Sequence, residues 1–208
     1  MKAYWNCVAL LGAIGAGSAN TAQAEIPVRA IYGGALYHDV TLADAGSGGA
    51  EQPPNIELEI QLESPRVFRY ILDPSVYFVG SVNTRGDTSF GGFGLNWKFY
   101  FAKNWAFEPG VGYVVHNGAL EFPFPRGDPR NAEFRDNNIL FGSRDLFRLT
   151  TGLTRDFGPH WSGQVLYEHL SHGQIIGRGR NQGLDSIGLR LAYRFRDRQG
   201  QRINAKES

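Results

Sequence analysis

The sequence predicts an all-β fold, an eight-stranded antiparallel transmembrane β-barrel of the outer membrane. Three observations predict it. Apolar and polar residues alternate at period 2 through most of the chain, the apolar side of that alternation is unusually aromatic, and the connections between alternating segments are long and short by turns. Glycine, 27 of 208 residues, is roughly twice its usual share of about 7%. Phe, Trp and Tyr number 14, 4 and 9. Abundant glycine and aromatic residues together suit strands and tight turns better than a helical bundle. Beyond the first two dozen residues no run stays apolar for the ~18 positions a membrane helix needs, which excludes a helical membrane protein.

Residues 1–24 read as a secretory signal peptide. Lys2 is followed by an apolar run around Val8 to Gly17 and by the small-residue ending Ala22-Gln23-Ala24, so cleavage is expected before Glu25. Lys2 leaves with that segment, and the mature chain then carries equal numbers of Lys+Arg and Asp+Glu. Such a balance gives no electrostatic case for nucleic acid. Cys7, the single cysteine, also leaves, so neither a disulfide framework nor a thiolate metal site is expected.

The barrel domain is expected over 25–195. Its first strand falls around Val28 to His38. In the second, Ile56, Leu58, Ile60 and Leu62 alternate with Glu57, Glu59, Gln61 and Glu63; a third lies around Ser75 to Val82. Phe93, Leu95, Trp97, Phe99 and Phe101 mark the fourth, interleaved with Gly94, Asn96, Lys98 and Tyr100. Trp105, Phe107, Val111, Tyr113 and Val115 mark the fifth; Phe147, Leu149 and Leu153 the sixth. The seventh runs from Trp161 to Ser171. In the eighth, Ile187, Leu189, Leu191, Tyr193 and Phe195 alternate with Gly188, Arg190, Ala192 and Arg194. Each reads as a strand with one apolar and one polar face. Residues 196–208 form a polar tail without apolar pattern, expected to extend disordered into the periplasm.

A soluble sandwich or lipid-binding barrel alternates too, with its apolar face inward. Two features favour the membrane form. Rings near strand ends (Trp105, Tyr193, Phe195) suit interface girdles, and the polar face mixes Glu57, Glu59, Glu63 and Glu108 with Lys98, Arg148, Arg190 and Arg194, which can pair in a narrow lumen. The connections at 102–104 and 158–160 are short, whereas those at about 39–54, 116–145 and 172–184 are long. Short periplasmic turns and long external loops put both termini in the periplasm.

The seventh strand ends Tyr167-Glu168-His169-Leu170-Ser171-His172. Positions i and i+2 of a strand share a face, roughly 7 Å apart, so His169 and Ser171 project together, a base beside a hydroxyl. Their parity is that of Trp161, Val165 and Tyr167, the lipid side, where a polar pair costs free energy unless it serves something. Asp185 opens the eighth strand with the parity of Ile187 and Leu189, so nucleophile, base and orienting acid converge on one outer face. His172 has the opposite parity and makes a poor metal pair with His169, and Glu168 points inward.

The run His169-Leu170-Ser171, with Asn181-Gln182-Gly183-Leu184-Asp185 and Arg190-Leu191-Ala192-Tyr193-Arg194-Phe195, resembles the outer-membrane lipid A 3-O-deacylase family. Asn83-Thr84-Arg85-Gly86-Asp87-Thr88-Ser89, Gly94-Leu95-Asn96-Trp97 and His116-Asn117-Gly118 agree, and the resemblance spans roughly Pro74 to Phe195. It implies a serine esterase hydrolysing the 3-position hydroxyacyl ester of lipid A in the outer leaflet of a Gram-negative outer membrane. Ser171 would be the nucleophile and His169 the base. Asp185 would stand where the family has glutamate and Asn181 at the oxyanion position, with no metal or organic cofactor. Here His172 follows the serine where the family usually has asparagine. Arg178 and Arg180, in the adjoining loop, are candidates for contacting the lipopolysaccharide phosphates. Lipid A or lipopolysaccharide is thus the expected partner.

The rival reading is a non-catalytic small outer-membrane barrel of structural or adhesion type. A pore is disfavoured because eight strands enclose only side chains. No Gly-x-Ser-x-Gly elbow marks an α/β-hydrolase. The glycine-rich stretch at Gly177, Gly179 and Gly183 opens no helix that would cradle a nucleotide.

Overall fold

The computed structural model describes residues 27–40, 49–177 and 179–195. The expected signal peptide, the polar tail and Arg178 lie outside the described residues. Nine strands form one antiparallel sheet: β1 (Val28–His38), β2 (Asn55–Leu62), β3 (Ser75–Asn83), β4 (Phe90–Asn96), β5 (Phe99–Ala102), β6 (Trp105–His116), β7 (Asp145–Asp156), β8 (Trp161–Ser171) and β9 (Leu184–Arg194). Strands consecutive in sequence pair with one another, except β4 and β5, which lie end to end against β6. β1 also pairs with β9, and β6 pairs with both β4 and β5, so the sheet closes into a barrel of eight staves.

The fourth stave was expected to be continuous and is broken at Trp97 and Lys98. Asn96 pairs with Gly110 and Phe99 with Phe107, with Pro109 between them on β6. Trp97 N–H donates to the Pro109 carbonyl at 2.9 Å. Proline has no N–H to return, so one rung of the ladder is missing there, although the register runs on unshifted to Phe99.

The polarity is inside out. Ile56, Leu58, Phe78, Phe93, Leu149, Leu153, Leu189 and Leu191 are exposed around the outside, while Glu57, Glu59, Glu108, Arg148, Glu168 and Arg190 are buried in the lumen. Apolar out and polar in is the pattern of a barrel that spans a membrane. Among the described residues no helix is long and apolar enough to cross one.

The lumen is filled in tiers. In the middle, Arg148 bonds Glu57 (3.2 Å), Glu59 (3.1 Å) and Glu168 (2.5 Å), and Arg190 bonds Glu57 (2.7 Å) and Glu59 (3.0 Å). Toward the end with short turns, Lys98 meets Glu108 at 2.8 Å and Arg194 meets Asp156 at 3.0 Å. That end carries the aromatic girdle, where Tyr193 stacks on His160 and meets Trp161 and Phe195 edge-on. The connection 63–74 at this end is longer than a tight turn and holds a 3₁₀ turn, Arg66–Ile71, fastened by Trp97 Nε1–H to the Ile71 carbonyl at 2.7 Å.

At the opposite end the long β6–β7 loop packs into the barrel. Besides the short helix α1 (Arg130–Asp136), it drops Ile139 and Phe141 into an apolar plug with Tyr77, Phe90, Val114, Leu146, Leu170 and Leu184. Glu51 ties the loops together: it bonds His38 Nε2 at 2.7 Å and accepts from Thr88 Oγ1 at 2.8 Å, Thr88 N–H at 3.1 Å and Ile139 N–H at 3.4 Å. Burial favours the neutral Glu51 carboxyl, but the bonds from His38 and Thr88 outweigh it and hold its pKa below the ordinary 4.5.

Two predictions follow from these clusters. Arg148→Ala leaves Glu57, Glu59 and Glu168 short of a counter-ion and is expected to destabilise the barrel by about 3–5 kcal/mol, read from the urea midpoint in lipid vesicles. Glu51 has a pKa lower folded than unfolded, so its contribution to loop stability is complete above about pH 4.5 and fades as pH falls through the folded value. Nicking of the β6–β7 loop by an acid-active protease should rise across that window in the native protein, and Glu51→Gln should flatten the dependence.

Candidate active site

Register, rather than loop geometry, assembles the site. β8 and β9 pair so that His169 lies directly opposite Asp185, and on the other side of β8 Leu149 faces His169 and Phe147 faces Ser171. Residues 167, 169 and 171 share the outward face, and each neighbouring strand presents its outward residues at the same height.

His169 sits between the other two groups. Its Nδ1 meets Asp185 Oδ1 at 2.6 Å and its Nε2 meets Ser171 Oγ at 3.0 Å. Each ring nitrogen thus serves one partner, with the acid on Nδ1 and the hydroxyl on Nε2, as a hydroxyl-activating relay requires. Asp185 is fully covered although it faces outward, whereas a quarter of the His169 side chain is exposed. The open side of the relay therefore lies at the histidine and serine. Exposed Leu149 (51%) and Ile187 (37%) flank it, so the surroundings are apolar.

Tyr167 escaped the sequence reading as anything but a lipid-facing ring. Its hydroxyl donates to Asp185 Oδ1 at 2.8 Å, the same oxygen that His169 uses. The available signal was parity: a tyrosine two residues before the histidine shares its face and reaches the same acid across the strand pair. Glu168 points inward to Arg148, in line with its opposite parity.

The β8–β9 loop is built around His172. This side chain is buried, its Nε2 meets the Arg180 carbonyl at 2.9 Å, and its Nδ1 accepts from Gln174 N–H at 3.1 Å. His172 thus braces the loop rather than pairing with His169. Asn181 Oδ1 accepts the His172 N–H at 3.1 Å, which holds the asparagine next to the residue that follows Ser171 and leaves its amide hydrogens as donors. Gln182 crosses to the β6–β7 loop, accepting Leu140 N–H at 2.8 Å and donating its own N–H to the Leu140 carbonyl at 3.2 Å. Arg180 is exposed and lays its guanidinium over Phe122, 4.6 Å from the ring centre. Among the described residues no group of three or more His, Cys, Asp or Glu side chains is placed to hold a metal ion.

A family model described as lipid A 3-O-deacylase (PagL) matches residues 71–194, from the end of the β2–β3 connection to the last residue of β9. The crystal structure of the outer membrane enzyme PagL superposes with a TM-score of 0.54 at 14% identity, covering 78% of this chain and 97% of that one. A de novo designed transmembrane β-barrel aligns with TM-score 0.43 at 10% identity (80% and 95% covered). The Yersinia pestis outer membrane protein Ail aligns with TM-score 0.42 at 14% identity (81% and 99% covered). No curated protein sequence matches.

Gly183 borders the relay. A Cβ built there would lie 2.8 Å from His169 Cε1, closer than such atoms approach, so the imidazole must swing. Gly183→Ala is expected to displace the low-field Nδ1 proton resonance of His169 that a short bond to a carboxylate produces. The native spectrum should show that resonance, and loss of the native chemical shift in a still-folded variant is the measurement.

Proposed function

This chain belongs to the lipid A 3-O-deacylase family, and we propose that it is a serine carboxylic ester hydrolase that releases the 3-position hydroxyacyl chain of lipid A. The observation that carries this reading is the unbroken line of hydrogen bonds from Asp185 through His169 to Ser171 on the lipid-facing wall. A polar relay on that wall, partly open at His169 and Ser171, costs free energy that a purely structural barrel has no reason to spend.

His169 Nε2 takes the Ser171 Oγ proton as that oxygen attacks the ester carbonyl carbon. The Nδ1–H bond to Asp185 holds the tautomer that makes Nε2 basic and stabilises the imidazolium that forms. Negative charge gathers on the former carbonyl oxygen, where Asn181 Nδ2 is the candidate donor; one such donor is worth about 3 kcal/mol. Collapse of the tetrahedral intermediate breaks the ester bond, and His169 gives its proton to the leaving 3-hydroxyl oxygen of the sugar. A water then attacks the acyl-serine, its proton going to His169, and the fatty acid departs with Ser171 restored. The acyl chain has Phe147, Leu149 and Ile187 beside it on the wall. The substrate thus needs to leave the lipid environment only at its ester. This topology agrees with a site in the outer leaflet, at the long-loop end of the barrel, with Arg180 beside the lipopolysaccharide phosphates.

Asp185 is one methylene shorter than the family's glutamate. Because it faces His169 directly across the strand pair, the shorter acid closes to 2.6 Å without help. The rival reading, a non-catalytic structural or adhesion barrel, leaves the relay unexplained.

Mass spectrometry of lipid A from a Gram-negative host separates the two. The native protein should remove one ester-linked 3-hydroxyacyl chain, Ser171→Ala should remove none, and Asp185→Asn should be slowed by about three orders of magnitude or more. Unmodified lipid A from a host whose outer membrane contains the folded native protein would assign it to the structural class.

A further inference from the structure

The 3₁₀ turn Arg66–Ile71 joins β2 to β3 at the short-turn end, opposite the end that carries the relay, and the ester chemistry makes no use of it. The family match begins only at its last residue, Ile71. Side chains three apart eclipse one another in such a turn. Its residues therefore stand in three columns: Arg66 with Arg69, Val67 with Tyr70, and Phe68 with Ile71. Phe68 is half-buried, whereas Arg66 and Arg69 are exposed, as are Val67 (67%) and Tyr70 (94%). Leu72 closes the turn and is 72% exposed. It holds a left-handed backbone, φ 70°, that glycine would adopt without strain. Strain is thus spent to keep one more apolar side chain on the outside.

We propose that this turn is an interfacial anchor, and that it takes the headgroup of an anionic phospholipid in the leaflet at the short-turn end of the barrel. Placement is the first argument. Trp97 lies between Asn96 and Lys98, which face the lumen, so its ring is on the outer side. Its Nε1–H bond to the Ile71 carbonyl, at 2.7 Å, fastens the turn to the lipid-facing side of the fourth stave rather than across the lumen. Phe99 and Phe101, exposed on that stave, make the apolar surface of the turn continuous with the wall. Charge is the second argument. Arg66 and Arg69 are the only charges between Glu63 and Asp73. Among the described residues neither guanidinium is paired with a carboxylate. Cations beside apolar and aromatic side chains at the edge of the hydrocarbon suit the boundary between acyl chains and headgroups. Water would leave Val67, Tyr70 and Leu72 uncovered; the leaflet covers them and supplies the anion.

The test uses the full-length chain carrying Cys7→Ser, folded into vesicles of phosphatidylcholine and phosphatidylglycerol, with heat-modifiable gel migration as the check of folding. One nitrobenzoxadiazole label is attached at Tyr70→Cys, at Leu189→Cys on the lipid-facing wall, or at Arg85→Cys in the exposed β3–β4 turn. Quenching is read with spin-labelled lipids and with iodide on both sides of the bilayer. The label at 70 should be quenched most by lipids spin-labelled near the headgroup, and about threefold less by iodide than the label at 85. Iodide quenching equal to that at 85 would overturn the anchor. Protection from iodide without quenching by lipid would assign the surface to a second copy of the chain, and would overturn it too. At equal mole fraction, spin-labelled phosphatidylglycerol should be preferred over spin-labelled phosphatidylcholine at residue 70 by about fivefold or more. Arg66→Gln/Arg69→Gln should reduce that preference to about twofold or less, and Arg66→Lys/Arg69→Lys should keep most of it. Equal quenching by the two lipids with both arginines present would overturn the headgroup assignment, as would a preference that survives in the glutamine variant.

Discussion

An exterior solvated by lipid forces the charged side chains of the strands into a lumen one side chain deep, and there they need counter-ions. Arg148 and Arg190 meet Glu57, Glu59 and Glu168 at the centre of the barrel, drawing on β2, β7, β8 and β9 at once. Removing a group from such a buried cluster costs more than the cluster itself contributes. Its value is therefore in register: a slip of one residue on any of these strands would turn a charge out into lipid. The same residues that make the interior polar thus fix which residue of β8 faces which residue of β9.

The relay inherits its geometry from that register. His169 and Asp185 are cross-strand partners, and Ser171 lies two residues along the same face, so one hydrogen-bonded ladder supplies the alignment that many enzymes obtain from loops. Tyr167 adds a second donor to the Asp185 oxygen that His169 uses, restricting the carboxylate from a third direction. His172 extends the order outward. It is buried under the loop, and its two ring nitrogens bind the Arg180 carbonyl and the Gln174 amide. A histidine at that position does for the loop what side-chain hydrogen bonding of another kind would otherwise do. The loop can then differ locally while Ser171, on the strand, stays where it is.

What alternation encodes was legible in the sequence. Period 2 located the eight staves and the inward face of Glu57, Glu59, Glu108, Arg148, Glu168 and Arg190, because a membrane barrel has two faces of opposite polarity along its strands. Parity also brought His169, Ser171 and Asp185 to one surface. The features that escaped are those in which one residue answers to something other than its face. Pro109 breaks the fourth stave through a missing donor on the neighbouring strand, which no pattern within residues 93–101 reveals. Ile139 and Phe141 sit in a stretch that reads as loop, yet they fill the mouth of the barrel, since the lumen becomes apolar where the charges end. Tyr167 carries the outward parity of a lipid-facing ring, and only the distance to Asp185 distinguishes it.

An aspartate as the acid at position 185, rather than a longer glutamate, illustrates how the scaffold sets its own tolerance. A longer acid can reach a histidine from several backbone positions, at the cost of ordering another rotatable bond. Aspartate reaches only when its Cα is held opposite the imidazole, and here the β8–β9 pairing holds it there, with Gly183 packed against the ring where a larger residue would displace it. A short acid thus puts the burden of orientation on the sheet rather than on a side chain. The sheet is held in turn by the charges it buries, so the ion cluster in the lumen and the relay on the outer wall are two consequences of the same strand register.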